Sequence, residues 1–327
     1  MSATSSEAKT GHGAAPPLLQ QEAQWRRARQ ALYEQLERSA EGGLNSDAVQ
    51  ASRCPQQGRD PGGEILIRLD DAVTVVCAEI PRAAAQQWQG ITTAVVAAVR
   101  GEPKGTGTRS DRVGTTAESV YVSDPDVMHV TLFYTSHPDD LAPRNPGERK
   151  ADRIEREVTQ LRELATKFAP FRVTPVKVVL AASGAILLLL QCLNIDNMDT
   201  HRDSQALEAV KNAGSHAEFS VDLLRQEAQE FFPFVSAKGP STIVHATLAR
   251  VLSVDAVDAA VLTRVQAVCK QLSAQLASDA DSNALVVEQL WHVDESHYIR
   301  PTGHTSVVSL GPRETSRPTS KALSASR

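Results

Sequence analysis

Apolar residues recur along this chain with two different periods, and the period changes from one stretch to the next. Trp25, Ala28, Leu32 and Leu36 return every three or four positions, which predicts an amphipathic helix over 20–38. "EILIRL" at 64–69 and "VTVVCAEI" at 73–80 predict two short strands around Asp70 and Asp71. Pro81 then stands where a helix can start, because its fixed φ suits the first turn and its missing N–H is not needed there; "RAAAQQWQGITTAVVAAV" follows it.

Beyond a polar stretch at 101–119 come "VYV" and "VMHVTLFY", both strand-like. Ile154, Val158, Leu161, Leu164 and Phe168 mark one face of a long helix, with Pro170 as its stop. "FRVTPVKVVLAA" and "AILLLLQCL" predict two strands joined at Ser183 and Gly184, and helical stretches at 204–211 and 221–231 lead to "IVHATLAR". Val261, Val265, Val268 and Leu272 define another helix, with Ser253 as its expected cap and Asp255 and Asp258 near its first turn. "ALVVEQLWHV" and "TSVVSL" supply closing strands. Short strands in runs, broken by single helices, predict an α+β domain. The order motif strand, helix, strand, strand occurs twice, so the domain reads as two related halves.

The pattern divides the chain at 1–63, 64–312 and 313–327. The first part reads as a disordered terminus, one amphipathic helix and a Ser-, Gly- and Pro-rich linker; the second is the main domain; the third is a polar, disordered tail. With 327 residues, 41% of them hydrophobic, the main domain can bury a sizeable core. A net charge of -5 gives no overall positive field for a long nucleic acid, which leaves a small or end-bound phosphate ligand open.

Cys54, Cys77, Cys192 and Cys269 are far apart and form no C-x-x-C pair, so they imply neither a zinc knuckle nor a disulfide framework. The longest apolar run, "AILLLLQCL", falls well short of the ~20 residues a membrane helix needs. The N-terminus lacks the charged and apolar segments of a secretory signal. These features place the chain in the cytoplasm, with nucleus and organelle left open.

Two of the predicted strands carry the same chemistry. Successive side chains on a strand alternate faces, so His129 and Thr131 point one way while Val130 and Leu132 point into a core. His245 and Thr247 repeat this with Ala246 and Leu248 behind them. Histidine titrates near neutral pH, so one imidazole can take a proton from an attacking hydroxyl or water while another gives one to a leaving oxygen. The threonine hydroxyls can donate to non-bridging phosphate oxygens. Arg250, five residues after His245, is a possible phosphate clamp, although an odd offset turns it away on a continuous strand unless the strand bends. Tyr134 and Phe133 could contact a nucleobase, with Phe133 on the His129 face.

Either H-x-T-L match alone is a weak signal, and the pair in matching context is the strong one. "HVTL" at His129 and "HATLAR" at His245, flanked by apolar residues and separated by a helix-strand-strand block, resemble the 2H phosphoesterase superfamily. That superfamily includes 2'-5' RNA ligase-like proteins, plant cyclic phosphodiesterases and the central domain of a kinase-anchoring protein. The resemblance covers roughly 64–312, down to the closing "PTGHTSVVSL", and leaves out the N-terminal helix.

The resemblance implies a bilobal, pseudo-two-fold α+β domain in which two antiparallel sheets line a central cleft with helices outside. It implies His129 and His245 as an acid/base pair, Thr131 and Thr247 as phosphate ligands, and Arg250 as a further phosphate contact. The activity implied is a phosphodiesterase working without metal or cofactor on 2',3'-cyclic nucleotides, RNA ends or 2'-5' linkages. The chain is expected to be a monomer off the membrane. The alternative is a nucleotide-binding or scaffolding module that uses the same cleft without turnover, with the N-terminal helix docking a protein partner. His304 belongs to a third H-x-[ST], which reads as a decoy on the last strand because no apolar pair precedes it.

Overall fold

The two apolar runs joined at Ser183 and Gly184 become the hairpin on which the larger of two sheets is built, β4 (Phe171–Leu180) and β5 (Ala185–Cys192). Gly184 has φ +79, and a Cβ placed on it would lie 2.6 Å from Val251 O, so only glycine fits the turn. The computed structural model describes residues 18–53, 73–101, 119–136, 148–192, 219–232, 242–278, 283–297 and 300–311. The strand expected at 64–69, the helix at 204–211 and both chain ends lie outside the described residues.

The larger sheet adds β2 (Val120–Val122), β6 (His245–Val251) and β7 (Leu285–Val287) in the order β2-β6-β5-β4-β7. The smaller sheet combines β1 (Val73–Glu79), β3 (His129–Ser136), β8 (Gln289–His297) and β9 (Arg300–Ser309) in the order β3-β1-β8-β9. Every described pairing is antiparallel. Six helices of eight residues or more are described: α1 (Leu18–Ser39), α2 (Ser46–Arg53), α3 (Arg82–Arg100), α4 (Lys150–Ala165), α5 (Ser220–Phe231) and α6 (Ala259–Ser278). The protein is thus α+β with two antiparallel sheets. None of these helices is long and apolar enough to cross a membrane.

One face of each sheet feeds a shared core. Val76, Ala78, Val130 and Leu132 come from the smaller sheet and Ile186, Leu188, Ala246 and Leu248 from the larger, against Trp88, Leu161, Leu224 and Val265 of the helices. The opposite faces differ. On the smaller sheet Val75, Cys77 and Val293 pack with Tyr134 and Trp291, and on the larger sheet Leu187 and Leu189 pack under Tyr33, Leu32 and Leu36 of α1. Leu32 and Leu36, part of the apolar stripe that made α1 a candidate partner-docking helix, thus pack against the protein's own sheet.

One local expectation changes. Asp258, not Ser253, caps α6: its Oδ1 accepts the Val261 N–H at 2.8 Å, while Ser253 precedes a separate 3-10 turn at Val254–Ala256 and makes no cap bond. His292 sits in the core, where its Nε2–H donates to Glu157 Oε2 at 2.9 Å. The Thr135 hydroxyl lies 2.8 Å from the same oxygen and 2.7 Å from Thr74 Oγ1. Burial alone would raise the Glu157 carboxyl, but His292 and the two threonines outweigh it and hold it below its ordinary range.

Candidate active site

The two H-x-T-L motifs form the first halves of β3 and β6, and both strands bulge at the same offset. In β3 the pairing runs Glu79 with His129 and Cys77 with Thr131, then shifts so that Val76 meets Phe133 and Val75 meets Tyr134. In β6 it runs Leu189 with His245 and Leu187 with Thr247, then shifts so that Ile186 meets Ala249 and Ala185 meets Arg250. Two consecutive apolar residues, Leu132-Phe133 and Leu248-Ala249, are therefore turned into the core in each strand, and all four are buried. Beyond each bulge the faces swap relative to a simple alternation.

That swap decides three assignments. Arg250 returns to the face that carries His245 and Thr247, despite its odd offset, and beside it on β2 stands Tyr121. Tyr134 occupies the equivalent position on β3, five residues after His129, and shares the face of His129 and Thr131. Phe133 does not: it is buried in the core 5.4 Å from the Phe232 ring, which corrects its expected place beside His129. The face assignment failed because the period of two holds only where the strand has no extra residue.

β3 and β6 belong to different sheets and touch each other. His129 is close enough to His245 to disfavour its protonation. Nδ1–H of His129 donates to Val127 O at 2.9 Å, which fixes the tautomer and leaves Nε2 as the proton-exchanging atom. Burial lowers its pKa more than this bond raises it. His245 Nδ1 is buried with no hydrogen-bond partner among the described residues. Burial, then Arg225, His129 and Arg250, push the His245 imidazole down to about 4, so it is neutral at pH 7.

A group of buried polar side chains behind the motif strands was not singled out from the sequence. Arg29 of α1 ion-pairs with Asp222 of α5 and donates Nε–H to Thr242 O at 3.0 Å, three residues before His245. Arg225, one turn after Asp222, donates Nε–H to Leu132 O at 2.8 Å and an Nη2 proton to Thr131 O at 2.9 Å. Tyr33 Oη lies 2.5 Å from Leu190 O and 2.9 Å from Val244 O, and accepts the Val244 N–H at 3.2 Å. Burial pushes that phenol up to about 12, so it stays a neutral donor. Asp222 and Arg225 lie at i and i+3, the spacing of an ordinary helix-surface pair, so spacing alone does not mark them as buried. Trp25 packing on Phe219 at 5.7 Å completes the seat of α1.

Tyr33→Phe tests how firmly α1 is seated. Removing the hydroxyl leaves the Leu190 and Val244 groups without it in a buried place, with an expected loss of about 1–3 kcal/mol in urea unfolding. An unchanged midpoint would mean that the Tyr33 hydroxyl contributes nothing to seating the helix.

His304 and Trp291 lie on opposite faces of the smaller sheet. His304 pairs with Asp294 on the side of the smaller sheet that carries His292, opposite to His129. Trp291 pairs with Cys77 and packs beside Tyr134 on the motif face. His137 lies outside the described residues.

No family model and no curated protein matches this chain. Among solved structures it is similar to the crystal structure of a conserved protein of unknown function from Agrobacterium tumefaciens. The likeness has a TM-score of 0.41 and 12% sequence identity, over 73% of this chain and 85% of that one.

Proposed function

We propose that this chain is a metal-independent phosphodiesterase of the 2H type, acting on a 2',3'-cyclic nucleotide, an RNA end or a 2'-5' linkage. The observation that carries the reading is the repeat: the same bulged H-x-T-L strand occurs once in each of two sheets, and the two strands touch. The arrangement suits a pseudo-two-fold cleft in which His129, Thr131 and Tyr134 face His245, Thr247 and Arg250.

One imidazole takes the proton of the attacking water as its oxygen bonds to phosphorus, and the other gives a proton to the ribose oxygen as its bond to phosphorus breaks. The cyclic phosphate becomes a monophosphate, and the two histidines end with their protonation exchanged. Thr131, Thr247 and Arg250 supply donors for the non-bridging oxygens, whose charge is best stabilised by groups already in place. Each strand holds its histidine and threonine two residues apart on one face, so one phosphate can lie between both pairs.

The histidine environments give this reading a pH signature. In the free protein kcat/KM needs one imidazole neutral and one protonated, and both are lowered here. Its maximum is therefore expected on the acid side of the ordinary histidine value of about 6.5. Above that it should fall by about tenfold per pH unit. The experiment is hydrolysis of 2',3'-cyclic AMP from pH 4 to 8 in excess EDTA. A maximum above pH 7 would contradict the assigned environments, and activity abolished by the chelator would contradict the metal-free mechanism.

A further inference from the structure

β3 is the edge strand of its sheet, so the carbonyls on its outer side need donors from elsewhere. A regular strand points successive carbonyls to opposite edges. Here a single guanidinium, that of Arg225, reaches Leu132 O at 2.8 Å and Thr131 O at 2.9 Å. Two neighbouring carbonyls can be taken together because the strand bulges at this point.

The same guanidinium acts on the second motif. Three charged or titratable groups bear on His245: Arg225 from α5, His129 from β3 and Arg250 from its own strand. Around Arg225 stand Asp222 on its own helix, Arg29 and Tyr33 of α1, and Cys192 at the end of β5. Arg225 is 3% exposed, so its charge is poorly screened. Arg29 pairs with Asp222 and holds Thr242 O, just upstream of His245. These buried charged side chains thus hold the backbone of β3 and of the segment leading into β6, and Arg29 ties that segment to the N-terminal helix.

We propose that Arg225 is a positioning residue for the two-histidine site: its fork fixes the β3 bulge that sets Thr131 and Tyr134 on the motif face. Its charge adds to burial, the larger cause, in disfavouring a proton on His245 in the free protein. The part concerning catalysis rests on the phosphodiesterase reading, whereas the geometric and electrostatic parts do not. When an anionic phosphate binds, it offsets this charge and allows His245 to hold a proton at the stage that requires one.

The test compares full-length wild type, Arg225→Gln and Arg225→Lys by NMR. The His245 imidazole titration and amide hydrogen exchange at 131–134 are followed, with turnover of 2',3'-cyclic AMP measured alongside. Glutamine removes the charge, and the His245 midpoint is expected to rise from about 4 by about one pH unit or more. Lysine keeps the charge without the fork, so the midpoint stays near that of wild type while exchange at 131–134 quickens by about tenfold or more. A folded glutamine variant with an unmoved midpoint, or a folded lysine variant with unmoved exchange, overturns the proposal. Failure of both variants to fold also overturns it, because Arg225 is then only architectural. If wild type itself makes no product while the midpoint and exchange shifts occur, the phosphodiesterase reading falls and the positioning role stands.

Discussion

His129→Ala and His245→Ala are each expected to lower kcat/KM for 2',3'-cyclic AMP by about 100-fold or more, with the fold intact. Both imidazoles stand on half-buried positions at the first residue of their strands, so truncation leaves the Leu132 and Leu248 packing behind them in place. The two losses should not add. Once one proton-transfer group is gone the concerted step is lost, and the double variant should be little worse than either single one.

The alanine variants also separate catalysis from binding. If wild type binds AMP but forms no product under any of the tested conditions, the chain is a nucleotide-binding module and its paired histidines do not transfer protons. If wild type is active and one alanine variant retains more than about a tenth of its kcat/KM, that histidine is not an acid or base in the reaction.

Asp222→Ala is expected to carry the largest cost in stability, about 3–5 kcal/mol in urea unfolding. Its side chain is 3% exposed, ion-pairs with Arg29 and interacts electrostatically with Arg225, so its removal leaves two buried guanidinium groups without that counter-charge. Burial raises the Asp222 carboxyl above its ordinary range even beside these two arginines. The triad is therefore expensive to bury, and breaking it is worse than keeping it. The exposed Arg149 to Asp152 pair on α4 provides the contrast, since Asp152→Ala should leave the unfolding midpoint essentially unmoved. Equal effects at the two positions would mean that solvent reaches the triad.

Much of the scaffold was legible because it obeys local rules. The three-to-four spacing of Trp25, Leu32 and Leu36 gave α1, the apolar runs around Gly184 gave the β4-β5 hairpin, and Pro81 marked the start of α3. The motif residues were legible for the same reason, since two positions on a strand share a face whatever lies around them.

Legibility stopped at the bulges. Phe133 was expected with His129 and lies in the core, and Arg250 returns to the His245 face only through the extra residue at Leu248. A bulge is a mismatch of register between two strands, and nothing in one strand alone records it. His292 and Arg225 were obscured for a related reason. Each is a polar residue in an amphipathic stretch, and only the partner brought by another element, Glu157 or the β3 carbonyls, explains its burial.

The sequence by itself determined the α+β class, most of the described elements and the paired histidine and threonine positions, because periodicity and side-chain chemistry are local properties; α2 lies where the composition reads as linker. Tertiary structure alone decided that β3 and β6 meet across two sheets, that Arg250 and Tyr134 share the motif faces, and that α1 is seated on the sheet beside His245. Those outcomes depend on strand register and on where buried polar groups find partners, and both are settled between segments far apart in the chain.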